Sequence, residues 1–257
     1  MERLSGNTAQ NGRGASVFVN PMWTRSASFA LLAAMAVVAL TGCGQIRTLP
    51  EARVERRTVQ KKSADMVSAE IRIGVGSLKM QGGAKDLLEA VFTNNVNGWK
   101  PDVRYDESSF RGRLEVQDSL RSGSGSYTND WDLSLNNSVP LDLKIAMGVG
   151  SNRLDLSQLA LRSLRIDVGV GEAVVNLSGA YKHDVNVEIH GGVGAAEVRL
   201  PAGIGVKADA KGGIGGISAR NPREKDGAYY NEAWGKSAVR MTVEVRGGVG
   251  EIRLSVD

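Results

Sequence analysis

Six Gly-x-Gly corners, each set between runs of alternating apolar residues, constrain this chain more than anything else in its 257 residues. The second glycines are Gly76, Gly150, Gly171, Gly194, Gly215 and Gly250, and four of them are spaced by 21, 23 and 21 residues. A period of that length marks one small unit repeated along an axis, because such a unit cannot bury its apolar face alone. Upstream of each corner, apolar residues fall at every second place, as in Leu141, Leu143, Ile145 and Met147, or Met241, Val243 and Val245. Downstream they fall three, five and seven places after the residue between the glycines, as in Ala173, Val175 and Leu177, or Ile252, Leu254 and Val256. Period two is the pattern of a half-buried strand.

The step of three across the second glycine would flip the strand's inward face. A bend at glycine restores it, since glycine accepts positive φ and close backbone approach. The pattern therefore predicts an all-β β-solenoid of strand–corner–strand rungs, 21–23 residues each, around a Val/Ile/Leu column. At ~4.8 Å per rung, six rungs span roughly 30 Å. Asn152 stands where an inward apolar residue is usual; it either starts a polar ladder or sits at a wider corner, and the wider corner is favoured.

The domain plan follows from breaks in this pattern. Residues 63–257 are expected to form a single solenoid, with an irregular β segment over 83–140 and a loop insert over 221–237. Within the irregular segment, Ala84–Phe92 reads as a short helix or a strand, Trp99–Tyr105 as an extended piece, and Leu114–Val116 as a degenerate rung. Ser119–Asn129 is Ser/Gly-rich and reads as an exposed loop. The insert carries Tyr229, Tyr230 and Trp234, a candidate partner contact of the kind that binds sugar or protein. The alternative, favoured for a loop of this length, is an edge cap folded over the stack.

The N-terminal part supplies an address. Arg25 precedes a 12-residue apolar run from Phe29 to Leu40, and Leu40-Thr41-Gly42-Cys43 follows. A charged start, a short apolar core and small residues at the cut form a secretory signal, and the run is well short of the ~20 residues that cross a bilayer. This segment resembles a bacterial lipoprotein signal with its lipobox. The resemblance implies cleavage before Cys43, lipidation of its thiol and new amino terminus, and membrane attachment through that lipid. Residues 1–42 are thus read as a signal peptide, with Met22 as the expected true initiator, and 43–62 as a lipidated flexible tether. Gly44 is not aspartate, so in a diderm host the sorting rule points to the outer membrane, facing the periplasm.

Composition excludes several function classes. Cys43 is the single cysteine, which leaves no disulfide framework. Without the three arginines and one glutamate before Cys43, the mature part holds 29 Lys+Arg and 27 Asp+Glu, a net +2 that argues against a nucleic-acid partner. No Gly-x-Gly continues into a helix as Gly-x-Gly-x-x-Gly, so no dinucleotide site is expected. Calcium-binding nonapeptides need an aspartate where Ala196, Ile217 and Ile252 stand. Two histidines, His183 and His190, are too few for a zinc site. Asp142, Asp155, Asp167 and Asp184 sit mostly at outward positions, as solubility residues rather than a glycosidase pair. The expectation is no enzyme, no metal and no cofactor.

Ile73-Gly74-Val75-Gly76-Ser77-Leu78, Leu87-Leu88-Glu89-Ala90, Trp99-Lys100-Pro101-Asp102-Val103, Leu114-Glu115-Val116-Gln117, Trp131-Asp132-Leu133 and Pro140-Leu141-Asp142-Leu143 resemble the bacterial toast-rack N-terminal domain. The likeness runs over roughly Ala69 to Leu177; beyond it the chain is similar to cell-wall-active-antibiotic-response and adhesin-like β-solenoid domains. It implies fold rather than chemistry and transfers no catalytic residue. The reading that follows is a non-catalytic, extracytoplasmic lipoprotein that binds or senses an envelope protein or glycan. A structural or adhesin-like surface scaffold is the alternative.

Overall fold

The computed structural model describes residues 51–96, 99–118 and 128–257, all within one compact unit over 49–257. The signal segment, the initiator, Cys43 and most of the Ser/Gly loop lie outside the described residues.

The regular rungs are long strands bent at glycine. They are β2 (Met66–Gly82), β7 (Leu141–Asp155) and β8 (Leu161–Asn176). In later rungs the corner splits the strand, giving β9 (Val185–Val193) with β10 (Ala196–Leu200), β11 (Gly205–Lys211) with β12 (Ile217–Arg220), and β15 (Arg240–Val249) with β16 (Ile252–Val256). Pairing between rungs is parallel throughout and keeps the corners aligned: Gly76, Gly150 and Gly171 are partners in turn, as are Val75, Val149, Val170, Val193 and Val249. Each rung therefore adds one strand to an upstream wall and one to a downstream wall. The inward residues of both walls, such as Ile71 and Leu78 or Ile166 and Val175, join one hydrophobic core. This is the predicted β-solenoid.

The corner works as the step of three demands. The second glycines of all six corners have φ between 138° and 154°. A Cβ built at Gly171, Gly194 or Gly250 would stand 1.7 Å from the carbonyl oxygen of the corresponding glycine one rung away. Only glycine lets successive rungs approach this closely.

Antiparallel strands close the ends. The segment 83–140 holds β3 (Leu88–Asn94), β4 (Asp102–Ser108), β5 (Arg111–Gln117) and β6 (Asn129–Leu135). β5 and β6 lie parallel to the two halves of β2, so they form the degenerate rung expected around Leu114. β4 covers β5, and β3 covers β6, antiparallel in both cases. Ala84–Phe92 thus resolves to strand from Leu88 onward. Beneath this cap Phe92 meets Trp131 edge-on, ring centroids 4.9 Å apart, with Trp99 beside both.

Two expectations are corrected. The tether expected over 43–62 includes β1 (Arg53–Val59), an edge strand antiparallel to β3. Its sequence shows little apolar alternation because backbone pairing to β3, rather than burial, holds it. Its many charges also protect the exposed edge from further pairing. Asn152 sits at no wider corner: it is in register with Leu78 and Ala173 and only 2% exposed, with Nδ2 3.3 Å from Met147 Sδ. It makes no polar ladder either. The rungs do not stack in chain order. The Gly250 rung inserts between the Gly194 and Gly215 rungs, with β15 paired to β9 on one side and β11 on the other. The reason is the apolar side chain each strand can bury: β16 carries Ile252, Leu254 and Val256, whereas β12 sets only Ile217 and Ala219 in register with the first two of them. The poorer strand takes the end position.

Candidate interaction surface

Where the chain turns at Gly-x-Gly, the residue between the glycines cannot reach the core. Val75, Val149, Val170, Val193, Val249 and Ile214 are consequently 39–74% exposed. Cross-rung pairing places them side by side, Ile214 bridging to Val249 at the end of the row. At ~4.8 Å per step they form an apolar ridge roughly 24 Å long. A groove of about 640 Å³ runs beside it, floored by Gly74, Gly148, Gly169 and Gly192. Arg72, Asp118, Asp167 and His190 line its polar side. The ridge went unread in the sequence, although the signal was there: a β-branched residue occupies this corner position in all six rungs.

Asp167 and His190 beside the groove are engaged with each other and with Arg165. Arg165 donates from Nε and Nη2 to the carboxylate of Asp167, at 2.9 and 3.0 Å. His190 Nδ1 lies 3.2 Å from both Asp167 Oδ1 and Arg165 Nη2. Among the described residues this outward ion-pair network sets no serine, threonine or cysteine against the imidazole. His183 lies apart from it and is exposed. Asp142 accepts from Ser163, Asp155 from Asn176, and Asp184 from the backbone N–H of Arg240. These carboxylates tie neighbouring rungs together. Among the described residues no group of three His, Cys, Asp or Glu side chains is arranged to hold a metal.

The insert folds as the edge cap. A hairpin of β13 (Arg223–Lys225) and β14 (Ala228–Tyr230) turns at Asp226-Gly227, both with positive φ, and β14 pairs antiparallel to β11. Asn231 then pins the chain: buried, it donates from Nδ2 to the carbonyls of Pro201 and Ile204 and accepts the N–H of Val206 on Oδ1. The three aromatic residues are divided by this arrangement. Tyr229 lies opposite Ala208 and packs on the core. Tyr230 and Trp234 stay at the surface, half-buried, with ring centroids 5.6 Å apart and planes at 56°.

Residues 50–199 match the family described as the N-terminal domain of toast_rack, DUF2154. This chain belongs to the toast-rack family. The toast-rack match ends within β10, while the rungs and their core continue to β16. A solved structure of a candidate cell adhesion protein from Clostridium sporogenes is 33% identical; it covers 80% of this chain and 100% of its own length, at a TM-score of 0.78. Candidate adhesins from Bacteroides fragilis and Parabacteroides merdae match at 11% and 10% identity. They cover 79% and 80% of this chain and 97% and 96% of their own, but TM-scores of 0.25 and 0.23 are too low to bear on it. No curated protein matches.

Proposed function

We propose that this toast-rack protein is a non-catalytic, adhesin-like binding module held outside the cytoplasmic compartment of a bacterium by lipid on Cys43. The observation that carries the reading is the Val/Ile ridge. A folded surface that keeps six β-branched apolar residues in one exposed row offers a contact for another molecule. The full-length likeness to a candidate cell adhesion protein supports the same reading and ranks adhesion ahead of envelope sensing. Beside the groove, Arg165 to Glu188 and His190 to Asp167 join neighbouring rungs, a cohesive role that fits a binding face.

The test joins address to contact. In cells, the wild-type protein is expected in the membrane fraction and the Cys43→Ser variant in the soluble extracytoplasmic fraction. A photo-crosslinking residue at position 193 is expected to give a discrete adduct with an envelope component, and one at the remote, exposed position 182 is not. Membrane association that survives Cys43→Ser would sink the lipid anchor, and equal adduct patterns at both positions would sink the ridge as the contact.

A further inference from the structure

The edge cap holds more aromatic surface than capping requires. Tyr229 alone of its three aromatic residues packs on the core, yet Tyr230 and Trp234 are held together beside it in a defined geometry. Both are anchored. Tyr230 precedes Asn231, whose three hydrogen bonds fix the chain to the end of the stack. Trp234 lies against Gly205 at the start of β11, with its backbone N–H donating to the carbonyl of Asn231 at 3.3 Å. A cavity of about 580 Å³ opens over the pair. That size lies within the ~300–1,000 Å³ of small-ligand sites and is unlike the flat contact of two protein surfaces.

The lining selects the ligand's chemistry. Arg223, Lys225 and Lys236 are balanced by Glu224, Asp226 and Glu232, so the cavity has no net charge to attract a polyanion. Arg223 Nη2 reaches Glu232 Oε1 at 3.2 Å, both largely exposed, so the two present donors and acceptors at the rim. Two ring faces of negative quadrupole with alternating donors and acceptors around them complement one kind of molecule well: a ring with an apolar, polarised C–H face and hydroxyls at its edge. We infer that Tyr230 and Trp234 form a binding subsite for an uncharged saccharide. This deepens the binding-module reading and rests on it for where the saccharide is met. Binding by the purified chain is measured without that setting, so either can fail alone.

The test uses the full-length chain in detergent, titrated calorimetrically with the uncharged tetramers of β-1,4-linked N-acetylglucosamine and of β-1,4-linked glucose. The tetramer of galacturonate is the charged comparison. Saturable binding of at least one neutral tetramer is expected, with galacturonate weaker. Trp234→Ala and Tyr230→Ala should each weaken it about tenfold, while Trp234→Phe retains most of the affinity. Thermal melts of each variant check the fold. If Trp234→Ala fails to fold, Tyr230→Ala and Glu232→Gln at the exposed rim, each expected to weaken binding, carry the test. No saturable heat from either neutral tetramer, or affinity unchanged in the alanine variants, overturns the inference. So does tighter binding of galacturonate. Capture of an envelope protein by a crosslinker at position 234, without saccharide binding, overturns it in favour of a protein contact.

Discussion

Gly194→Ala is the sharpest test of the corner. Gly194 has φ of 140°, a conformation that side-chain-bearing residues rarely adopt and that costs about 1–3 kcal/mol. The new Cβ would also lie 1.7 Å from the carbonyl oxygen of Gly171, where real Cβ contacts stay beyond 3.0 Å. The Gly194 and Gly171 rungs must part by more than an ångström, and the Ala173 N–H bond to the Ala195 carbonyl, 2.9 Å long, which joins these two rungs just past the corner, is weakened with its neighbours. One or two ladder bonds add about 1 kcal/mol each. The total is about 2–5 kcal/mol, which for a domain of this size lowers the melting temperature by roughly 4–20 °C. Two glycines of the same rung serve as controls. At Gly191 a Cβ meets nothing within 4 Å, so Gly191→Ala should be neutral or stabilising by about 0.4–1 kcal/mol. At Gly192 a Cβ would stand 2.3 Å from the Gly169 oxygen without the φ penalty, so that variant falls between the two. Thermal melts followed by far-ultraviolet circular dichroism, with urea midpoints as a second measure, give the order. A Gly194→Ala protein melting within about 2 °C of wild type, or no more affected than Gly191→Ala, refutes the steric argument.

Asn152→Leu should stabilise the protein by about 1 kcal/mol in urea unfolding, because Asn152 Oδ1 is buried without a hydrogen-bond partner between Leu78 and Ala173. Asn231→Ala removes three buried hydrogen bonds and should cost about 2–4 kcal/mol by the same measurement; a loss below about 1 kcal/mol would mean that the cap does not depend on this pin. Burial pushes the Glu70 carboxyl up, but Lys144 at 3.0 Å and Arg72 at 2.8 Å outweigh it and hold it below the ordinary carboxylate range. Its contribution is therefore complete above pH ~4.5 and lost as pH falls through the lowered value, so Glu70→Gln should flatten the acid limb of a stability–pH profile. An unchanged acid limb would count against the pairing.

Much of this architecture was legible because it is local. Period-two alternation decides which face of each strand is inward, and the odd step at each corner demands glycine whatever lies around it. The strand units, the corner and the degenerate rung at Leu114 could be read from those patterns alone, while the cap over 221–237 was favoured over a partner contact only on the length of the insert. Other features depend on competition between distant segments. β1 is held by the edge of β3, so Arg53–Val59 carries no burial pattern to read. Asn152 obeys its neighbours' register instead of its own polarity. The ridge valines look like core residues in composition, and only the stacked corner shows that they all face outward together.

The sequence by itself determined the rung, since strand alternation and glycine sterics act within a few residues. The tertiary structure decided the order of the rungs, because alike parallel edges compete for the same partners and the strand with most to bury wins the interior. It also decided which aromatic residues were free to bind. Whether a ring of the insert meets the core or the solvent depends on where β14 docks on β11, a contact between segments some twenty residues apart that no local pattern encodes.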